Sequence, residues 1–212
     1  MGHGTVFRAQ FSRNRKGAER HMDSGQHAEK QGSGASRALL SILAMIAVVV
    51  LCVIALRTFV FVPYEIPSGS MEETIKTGDM VFSEKVTYYM REPQPGDIVT
   101  FDDPEVANRT LIKRVIALGG QTVDLQDGHV VVDGVVLDEP YTLGKESYPL
   151  NRTAAGVDIS FPYTVPEGSV WVMGDNRTSS QDSRYFGAIP VSSITGRAAL
   201  IYWPVNDFGL LS

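Results

Sequence analysis

The chain has 212 residues, of which 43% are hydrophobic and 20% are charged, and its formal net charge is -5. This length leaves room for one substantial folded domain besides a membrane segment, and the acidic balance outside the first 37 residues argues against a nucleic-acid-binding surface, which needs clustered Lys and Arg. The single cysteine, Cys52, lies in an apolar run, which excludes a disulfide scaffold, a cysteine metal cluster and a thiol nucleophile outside that run.

Residues 1–37 form a polar, basic segment. They carry seven Lys or Arg against three acidic residues, a net charge of +4, so the remainder of the chain carries -9. The segment is rich in Gly, Ser, His and Gln and lacks apolar periodicity, so we predict a disordered tail. An excess of Lys and Arg beside a first apolar span holds that side of the span in the cytoplasm. We therefore expect the tail to be cytoplasmic.

Residues 38–56 contain no charged side chain and one hydroxyl, that of Ser41. Nineteen helical residues extend roughly 28 Å, which is enough to cross the hydrocarbon core of a bilayer. We predict a transmembrane anchor at 38–62 in a single-pass type II orientation, with residues 63–212 outside the cytoplasmic membrane. A cleaved signal peptide is the alternative, but no small-x-small cleavage site follows the apolar run.

Short β-branched runs separated by Gly, Pro and Asp dominate residues 63–212, and no helical period is sustained there. The predicted strands are 97–101, 110–118, 122–125, 129–132, 135–137 and 169–173. Asp-Gly pairs at 127–128 and 133–134 favour tight hairpins and hence an antiparallel meander in the middle of this region. Short helices are expected at 70–76, 86–91 and 191–194. The predicted fold class is therefore mainly β, with one N-terminal transmembrane helix.

Histidine is scarce in the region after the anchor. Three of the four histidines lie in the tail, and His129 stands beside a hairpin turn. A Ser-His-Asp triad and a histidine zinc site are therefore poorly supported. Paired carboxylates remain open because Asp and Glu are plentiful. The other hydrolytic arrangement that the sequence offers is a serine activated by a lysine amine.

Ser70 is the candidate nucleophile, within the run Ile66-Pro67-Ser68-Gly69-Ser70-Met71. Pro67 stiffens the chain and Gly69 permits a tight turn, so the next side chain is able to project from a strand-to-helix bend. Ser68, two residues earlier, is placed to point its hydroxyl to the same side. The same composition is also typical of an ordinary turn.

Lys113 is the candidate base. In the predicted strand, alternation places Lys113 on one face and Arg114 on the other, so one of the two cations must lie against apolar surface. At a pKa near 10.4 a lysine is only about 0.1% neutral at pH 7.5, whereas burial among aliphatic side chains lowers its pKa toward about 8. The alternative is a lysine whose stem lies on the sheet and whose ammonium stays in water.

The third cluster is the polar stretch 174–187, which is too rich in Asp, Arg and Ser to bury apolar surface. Its order must come from hydrogen bonds and ion pairs. One interpretation is a solvated loop. The other is a polar scaffold for an active site, in which Asp182 pairs with Arg184 or Arg177 and a serine orients the amine.

In their order and spacing these segments resemble bacterial type I signal peptidases, the membrane-bound Ser/Lys endopeptidases that remove signal peptides from exported proteins. The resemblance covers the chain from about Leu39 onward. Besides the anchor, it is carried by Ile66-Pro67-Ser68-Gly69-Ser70-Met71, Gly96-Asp97-Ile98-Val99-Thr100-Phe101, Lys113-Arg114-Val115-Ile116, Gly174-Asp175-Asn176-Arg177 and Asp182-Ser183-Arg184-Tyr185-Phe186-Gly187.

The resemblance implies that Ser70 is the nucleophile and Lys113 the general base. It implies that the Ser68 side chain and the Ser70 backbone N–H form the oxyanion hole. Ser180 is then expected to hydrogen-bond the lysine amine, with Asp182 and Arg184 as the supporting pair. The residues expected to line pockets for the small side chains before the cut are Ile66, Pro67, Met71, Ile75, Leu111 and Ile112.

The fold implied is the family's β-rich domain at 63–212, with residues 119–168 as a small cap. The expected reaction is cleavage of exported preproteins after small-x-small sequences such as Ala-x-Ala, at the outer face of the membrane and without a metal or cofactor. Expected partners are signal peptides, the lipid bilayer and the protein export machinery, and no nucleic acid. Two alternatives remain open: a Ser/Lys protease that cuts itself or a dedicated partner, and an inactive relative that binds exported chains or scaffolds a secretion complex.

Overall fold

The computed structural model describes residues 29–211, without the side chains of residues 29–33, 58 and 59. For residues 1–28 the predicted disorder of the tail lies outside the described residues. From Glu29 the chain is helical, and this helix, α1, spans Glu29–Phe59. This helix begins nine residues before the predicted start of the anchor at 38, so residues 29–37, which were expected to belong to the disordered tail, are helical. Extending an existing helix costs far less than starting one, which favours its continuation beyond the apolar run.

Within α1, the 24 residues Gly34–Arg57 are long and apolar enough to cross a membrane, by length and composition. The large apolar side chains of this stretch, from Leu39 to Leu56, are all exposed. A helix that is apolar on every side is typical of a segment that lies in lipid, although a signal sequence near an N-terminus has the same character.

The domain after α1 consists of short strands joined by tight turns. The strands are β1 (Phe61–Glu65), β2 (Met80–Glu84), β3 (Ile98–Asp102), β4 (Thr110–Leu118), β5 (Thr122–Gln126), β6 (His129–Val132), β7 (Val135–Val136), β8 (Tyr163–Thr164), β9 (Ser169–Met173), β10 (Ile189–Pro190), β11 (Ile194–Trp203) and β12 (Gly209–Leu210). Two short helices are α2 (Val86–Met90) and α3 (Ser183–Phe186), and 3-10 turns occupy Gly69–Met71, Pro140–Thr142, Arg177–Ser179, Val191–Ser193 and Val205–Asp207.

The larger sheet has eight strands in the order β1-β2-β11-β3-β4-β9-β10, and β12 pairs with β11. Its neighbouring strands are antiparallel. In this register Lys113 on β4 lies opposite Val99 on β3, and Arg114 lies opposite Met173 at the end of β9. The pairing of β4 with β9 therefore brings the polar loop that starts at Gly174 beside the candidate lysine.

The smaller sheet has the order β7-β6-β5-β8. Strands β5, β6 and β7 form the predicted meander, and β8, which was not predicted, pairs with the free edge of β5. The two hairpin turns of the meander have positive φ at both Asp and Gly, at Asp127-Gly128 and Asp133-Gly134, which is the backbone of a type I′ turn. Val123 and Val130 of this sheet share one core cluster with Trp171 and Ile116 of the larger sheet. The fold class is thus mainly β, as predicted, and the middle region is packed firmly against β4 and β9.

The larger sheet differs from the predicted elements in two ways. Strands β1, β2, β10, β11 and β12 were not predicted. The helix expected at 70–76 is instead the 3-10 turn Gly69–Met71 followed by a single α-turn, closed by the Ile75 N–H bond to the Met71 carbonyl at 2.9 Å. Because Met71 and Ile75 are both fully buried, one turn is enough to place both in the core. Strand β11 contains Gly196, where any side chain would meet the Ser83 hydroxyl of the neighbouring strand.

Candidate active site

Ser70 lies in a turn that is anchored in the core on both sides. Ile66 before it, and Met71 and Ile75 after it, are all buried and belong to one core cluster. Ser70 itself is 9% exposed. The apolar anchors hold the 3-10 turn against the sheet, so the Ser70 hydroxyl is directed toward β4 rather than into bulk water.

The Lys113 amine meets that hydroxyl. Lys113 is 3% exposed, and its Nζ lies 2.7 Å from Ser70 Oγ and 2.8 Å from the Ile112 carbonyl oxygen. These are hydrogen-bonding distances. The structure thus places the predicted nucleophile and the predicted base, 43 residues apart in the chain, in direct contact.

Burial lowers the pKa of Lys113 to about 8. The charges of Asp182, Asp175 and Asp103 act in the opposite direction but do not cancel the cost of removing the ammonium from water. Within residues 29–211, no carboxylate lies within ion-pair distance of the amine. At pH 7.5 a lysine with this pKa is neutral in about a quarter of the molecules, which suits a general base.

The neighbouring cation, Arg114, is equally buried but fully paired. Its Nε and Nη2 donate to the two oxygens of Asp175 at 2.9 and 2.8 Å, and its guanidinium lies 4.0 Å from the centre of the Tyr141 ring. Thr74 Oγ1 also donates to Asp175. Lys113 and Arg114 are thus both buried, whereas the alternation of side chains along the strand predicts burial of only one of them. A bidentate carboxylate and a ring face stabilise Arg114, while Lys113 has neither.

Asn176 ties the polar loop to the nucleophile turn. Its backbone N–H donates to the Ser70 carbonyl at 3.1 Å, and its side-chain Nδ2 donates to the Gly69 carbonyl at 2.8 Å. Two successive carbonyls of the turn are therefore fixed by one residue. This fixes the peptide planes around Ser70 and with them the direction of its backbone N–H, the predicted second donor of the oxyanion hole.

Asp182 and Arg184 form a buried bidentate pair, with both N···O distances at 2.9 Å. Asp182 also accepts from the Gly174 N–H. Although burial raises it, the pKa of Asp182 lies below its ordinary value because Arg184 and the Gly174 N–H stabilise the carboxylate. The structure thus brings together the predicted supporting pair, with Arg184 rather than Arg177 as the partner.

Ser180 differs from its prediction. Its Oγ is buried, and the expected bond to the Lys113 amine is not formed within the described residues. The Ser180 hydroxyl lies close enough to the Asp182 carboxylate to help lower the pKa of that group. The hydroxyl nevertheless borders the site. A Cβ placed on Gly174 would collide with Ser180 Oγ and with the Ser70 carbonyl oxygen, so both groups lie immediately beside Gly174.

The predicted oxyanion and pocket residues differ in exposure. Ser68 is exposed and has an extended backbone, and its side chain makes no cap hydrogen bond to the turn that follows. Among the six predicted pocket residues, three (Ile66, Met71 and Ile75) are buried, two (Leu111 and Ile112) are partly buried, and one (Pro67) is exposed. The partly buried and exposed members are the ones an extended peptide is able to contact directly. Ile112 packs against the cluster that contains the buried three, whereas Leu111 packs against the cluster that contains Val99 and Phe101.

Sequence reasoning missed Asn176, Arg114, Asp175 and Tyr141 as parts of the site. A signal was present for the arginine, because a buried Arg in a strand requires a carboxylate partner. The partner's identity depends on the pairing of β4 with β9, which the residue pattern does not specify. Within residues 29–211, no group of three or more His, Cys, Asp or Glu side chains is arranged to hold a metal ion.

Comparison with known proteins gives one consistent result. The family model described as signal peptidase, peptidase S26, matches residues 39–203. A probable signal peptidase I-1 from Synechocystis is 40% identical over 176 residues, which cover 80% of this chain and 84% of that protein. A signal peptidase I from Mycobacterium tuberculosis is 36% identical and is matched over 81% of this chain and 74% of its own length. A solved structure of a signal peptidase I from Enterococcus faecalis is 36% identical, with a TM-score of 0.42, covering 50% of this chain and 97% of that one.

Proposed function

The chain belongs to the signal peptidase family, peptidase S26, and we propose that it is a serine endopeptidase that removes signal peptides from exported preproteins with Ser70 as nucleophile and Lys113 as general base. The observation that carries the proposal is the 2.7 Å contact between Lys113 Nζ and Ser70 Oγ. It occurs in a buried setting that lowers the pKa of Lys113 to about 8. A neutral amine beside a serine hydroxyl is the minimum that such a reaction requires.

In the first half of the reaction, neutral Lys113 accepts the proton of the Ser70 hydroxyl as Oγ attacks the scissile carbonyl carbon. The C–O bond forms while the carbonyl π bond opens, and the charge moves to the carbonyl oxygen. We assign the Ser68 hydroxyl and the Ser70 backbone N–H as donors to that oxyanion. The tetrahedral intermediate collapses by breaking the C–N bond, and Lys113 returns its proton to the leaving amine of the mature protein.

In the second half, the signal peptide is bound to Ser70 as an ester. The neutral Lys113 amine now takes a proton from a water molecule that attacks the ester carbonyl. A second tetrahedral intermediate forms and collapses, and the proton returns to Ser70 Oγ. The signal peptide leaves with a free carboxylate, and the enzyme returns to its starting state.

Three further side chains are assigned supporting roles. Ser180 borders the nucleophile across Gly174, and the Asp182–Arg184 pair holds the loop. We propose that the Ser180 hydroxyl helps to orient the amine once substrate and water fill the site, because apo hydrogen bonds in active sites commonly tighten only in the substrate complex.

We propose cleavage after small-x-small sequences such as Ala-x-Ala. Leu111 and Ile112 flank the lysine on β4, and Pro67 flanks the nucleophile turn, so an extended peptide between them meets apolar walls. Ile112 packs against the core cluster that contains the fully buried Met71 and Ile75, and Leu111 packs against the cluster that contains Val99 and Phe101. Close-packed support of this kind favours small side chains at the positions that face it.

We propose that residues 38–59, the apolar part of α1, anchor the enzyme in the cytoplasmic membrane as a single type II span, with the domain that begins at β1 as the catalytic domain outside it and 119–168 as its cap region. The predicted end of the anchor at 62 is too late, because Phe61 and Val62 pair with β2. The basic tail supports this orientation. Signal peptides carry an apolar segment directly before the cut, so substrate and enzyme meet at the outer membrane surface. The lipid bilayer and the export machinery that delivers the preprotein are the partners this location implies.

The test uses the full-length protein in detergent with a preprotein whose signal ends in Ala-x-Ala. Mass spectrometry locates the cut for the wild type, Ser70→Ala, Lys113→Ala and the control Lys76→Ala. Lys76 is an exposed lysine paired with Asp207, so its loss leaves the site intact. We expect cleavage directly after the second Ala by the wild type and the control, and none by the other two.

Substantial cleavage by Lys113→Ala would refute the assigned base. Absence of cleavage by the folded wild type would instead favour a dedicated substrate or a binding role. Cleavage at another sequence would leave the peptidase assignment in place and overturn the proposed specificity.

A further inference from the structure

The polar loop that begins at Gly174 is held by hydrogen bonds to the nucleophile turn and also by hydrogen bonds to a second segment of the chain, residues 139–147. We call residues 174–184 the catalytic loop and residues 139–147 the clamp segment. Arg177 of the catalytic loop is 1% exposed, and its Nη1 and Nη2 donate to the two oxygens of Glu139 at 2.8 and 2.6 Å. Its Nη1 also donates to the buried hydroxyl of Ser147 at 2.8 Å.

Arg177 uses its remaining groups within the loop. Its Nε donates to the Gly174 carbonyl at 3.1 Å, and its own carbonyl accepts from Arg184 Nη2 at 2.8 Å. Arg177 is therefore the point at which the clamp segment, the start of the loop and the Asp182–Arg184 pair are joined. The next residue toward the N-terminus is Asn176, which holds the nucleophile turn.

The clamp segment makes a second contact through Tyr141. The Tyr141 hydroxyl donates to Glu139 at 2.8 Å, and its ring lies beneath the guanidinium of Arg114, whose charge is paired with Asp175 of the loop. Glu139 is thus oriented by its own neighbour while it binds Arg177. Two of the three buried arginines next to the site, Arg114 and Arg177, thus depend on the clamp segment for part of their stabilisation.

We propose that Glu139 is a positioning residue for the peptidase reaction, which holds the catalytic loop through Arg177 so that Asn176 keeps the nucleophile turn in place and water stays away from the Lys113 amine. The inference rests on the proposed function and assigns a role to the clamp segment, which touches neither Ser70 nor Lys113 in the described hydrogen bonds. A misplacement of about 1 Å in such a turn is enough to cost a large factor in rate.

Loss of the Glu139 charge leaves a buried cation without a counterion, which is among the most unfavourable local changes in a protein. Arg177 then has to move toward water or admit water, and either change displaces its neighbour Asn176. Hydration of the site relieves the burial that lowers the pKa of Lys113. The carboxylates that act on this amine are those of Asp182, Asp175 and Asp103. The first two are ion-paired to arginines. All three favour the protonated amine, and water weakens this effect, but burial is the larger cause of the shift, so hydration moves the pKa of Lys113 upward.

The experiment compares full-length wild type, Glu139→Gln, Ser147→Ala and the control Arg91→Gln in detergent. The control breaks another bidentate pair, in which Arg91 binds Asp97 at 2.7 and 2.9 Å without contacting the catalytic loop. Values of kcat and KM for preprotein cleavage are measured from pH 6 to 9.5, per titrated active site, together with the unfolding midpoint. The Lys113 pKa is also measured directly, from the pH dependence of its ¹³Cε NMR shift.

For Glu139→Gln we expect kcat to fall by about tenfold or more with KM within about threefold. The acid limb of kcat/KM and the NMR titration of Lys113 should both move upward by about half a pH unit or more. Ser147→Ala keeps the Arg177–Glu139 ion pair, so it should move the acid limb and the Lys113 titration upward by a smaller amount. Arg91→Gln should change the unfolding midpoint but neither the kinetic constants nor the Lys113 titration.

A lowered unfolding midpoint in Glu139→Gln with unchanged kcat per site and an unchanged Lys113 titration would overturn the proposal, because Glu139 would then be only structural. If Glu139→Gln does not fold, Ser147→Ala decides by the same two readouts. A folded wild type that cleaves no preprotein contradicts the proposed function instead. The NMR titration still tests the clamp in that case, because it requires no turnover.

Discussion

Replacement of Lys113 by Met is expected to abolish cleavage and to stabilise the fold. Methionine keeps the length of the side chain but removes the amine, whose pKa of about 8 lies well below the 10.5 of an exposed lysine. That difference corresponds to about 3 kcal/mol of unfavourable free energy whenever the buried amine is charged. We therefore expect the free energy of unfolding of Lys113→Met to exceed that of the wild type by about 3 kcal/mol at pH 7.

The sign of the pH dependence follows from the two pKa values. Below about pH 8 the lysine is protonated in both the folded and the unfolded chain, so the folded state carries the full cost. Between about pH 8 and 10.5 the unfolded chain binds more protons than the folded one, so wild-type stability rises with pH. The excess free energy of unfolding of Lys113→Met over the wild type is thus largest below pH 8. Near pH 10.5 it falls toward the difference in packing between a methionine and a neutral lysine.

The assay is guanidinium unfolding of the full-length proteins in non-ionic detergent at pH 7 and pH 10.5, followed by the fluorescence of the fully buried Trp171. Lys76→Met is the control, because Lys76 is exposed and bonded to Asp207. It should not stabilise the fold. Two results would refute burial as the cause of the lowered pKa. One is a Lys113→Met variant that is no more stable than the wild type at pH 7. The other is a difference in the free energy of unfolding that is the same at pH 7 and at pH 10.5.

Further predictions concern the same site. The value of kcat/KM should rise with pH through a midpoint near 8, since Lys113 must be neutral to act, and a midpoint near 6 in the pH–rate profile would contradict this assignment. Gly174→Ala should lower kcat by about 100-fold or more because its Cβ meets the Ser70 carbonyl, whereas Gly34→Ala, which meets nothing within 4 Å, should cleave at the wild-type rate. Ser68→Ala should lower kcat by about 10²-fold to 10³-fold with an unchanged unfolding midpoint, because the side chain is exposed and caps no turn, and a loss seen only in KM would argue against an oxyanion role.

Local sequence predicted much of the strand content because strands in this domain are short and bounded by turn residues. Thr110–Leu118 and Ser169–Met173 have the predicted bounds, and the hairpins at Asp127 and Asp133 follow from Asp-Gly pairs that accept positive φ. Strand β11 was missed because its sequence, Ile194–Trp203, mixes Gly and Ala with apolar residues and has no clean alternation. Its strand state is imposed by two neighbours that pair with it along both edges.

Elimination from the residues alone left a serine–lysine arrangement and paired carboxylates, and the resemblance to signal peptidases selected Ser70 and Lys113. The structure brings these two side chains to 2.7 Å from each other. The polar network around Lys113 was predictable only for its local Asp182–Arg184 pair, because the links that tie this loop to other elements join distant parts of the chain. Arg114 and Asp175 are 61 residues apart, and Arg177 and Glu139 are 38 apart. Strand pairing decides which of the 24 acidic residues meets each of these arginines, and local sequence patterns do not specify strand pairing.

The position of β11 has a consequence for how the two halves of the site are held together. Ser70 lies between β1 and β2 in the chain, whereas Lys113 lies on β4, and residues 194–203 fill the gap between β2 and β3. The hydrogen-bonded path through the sheet from the Ser70 side to the Lys113 side therefore passes through β11, although none of the site residues described above lies on that strand. A substitution in β11 that weakens its pairing with β2 or β3 is thus expected to loosen the Ser70–Lys113 contact from a distance.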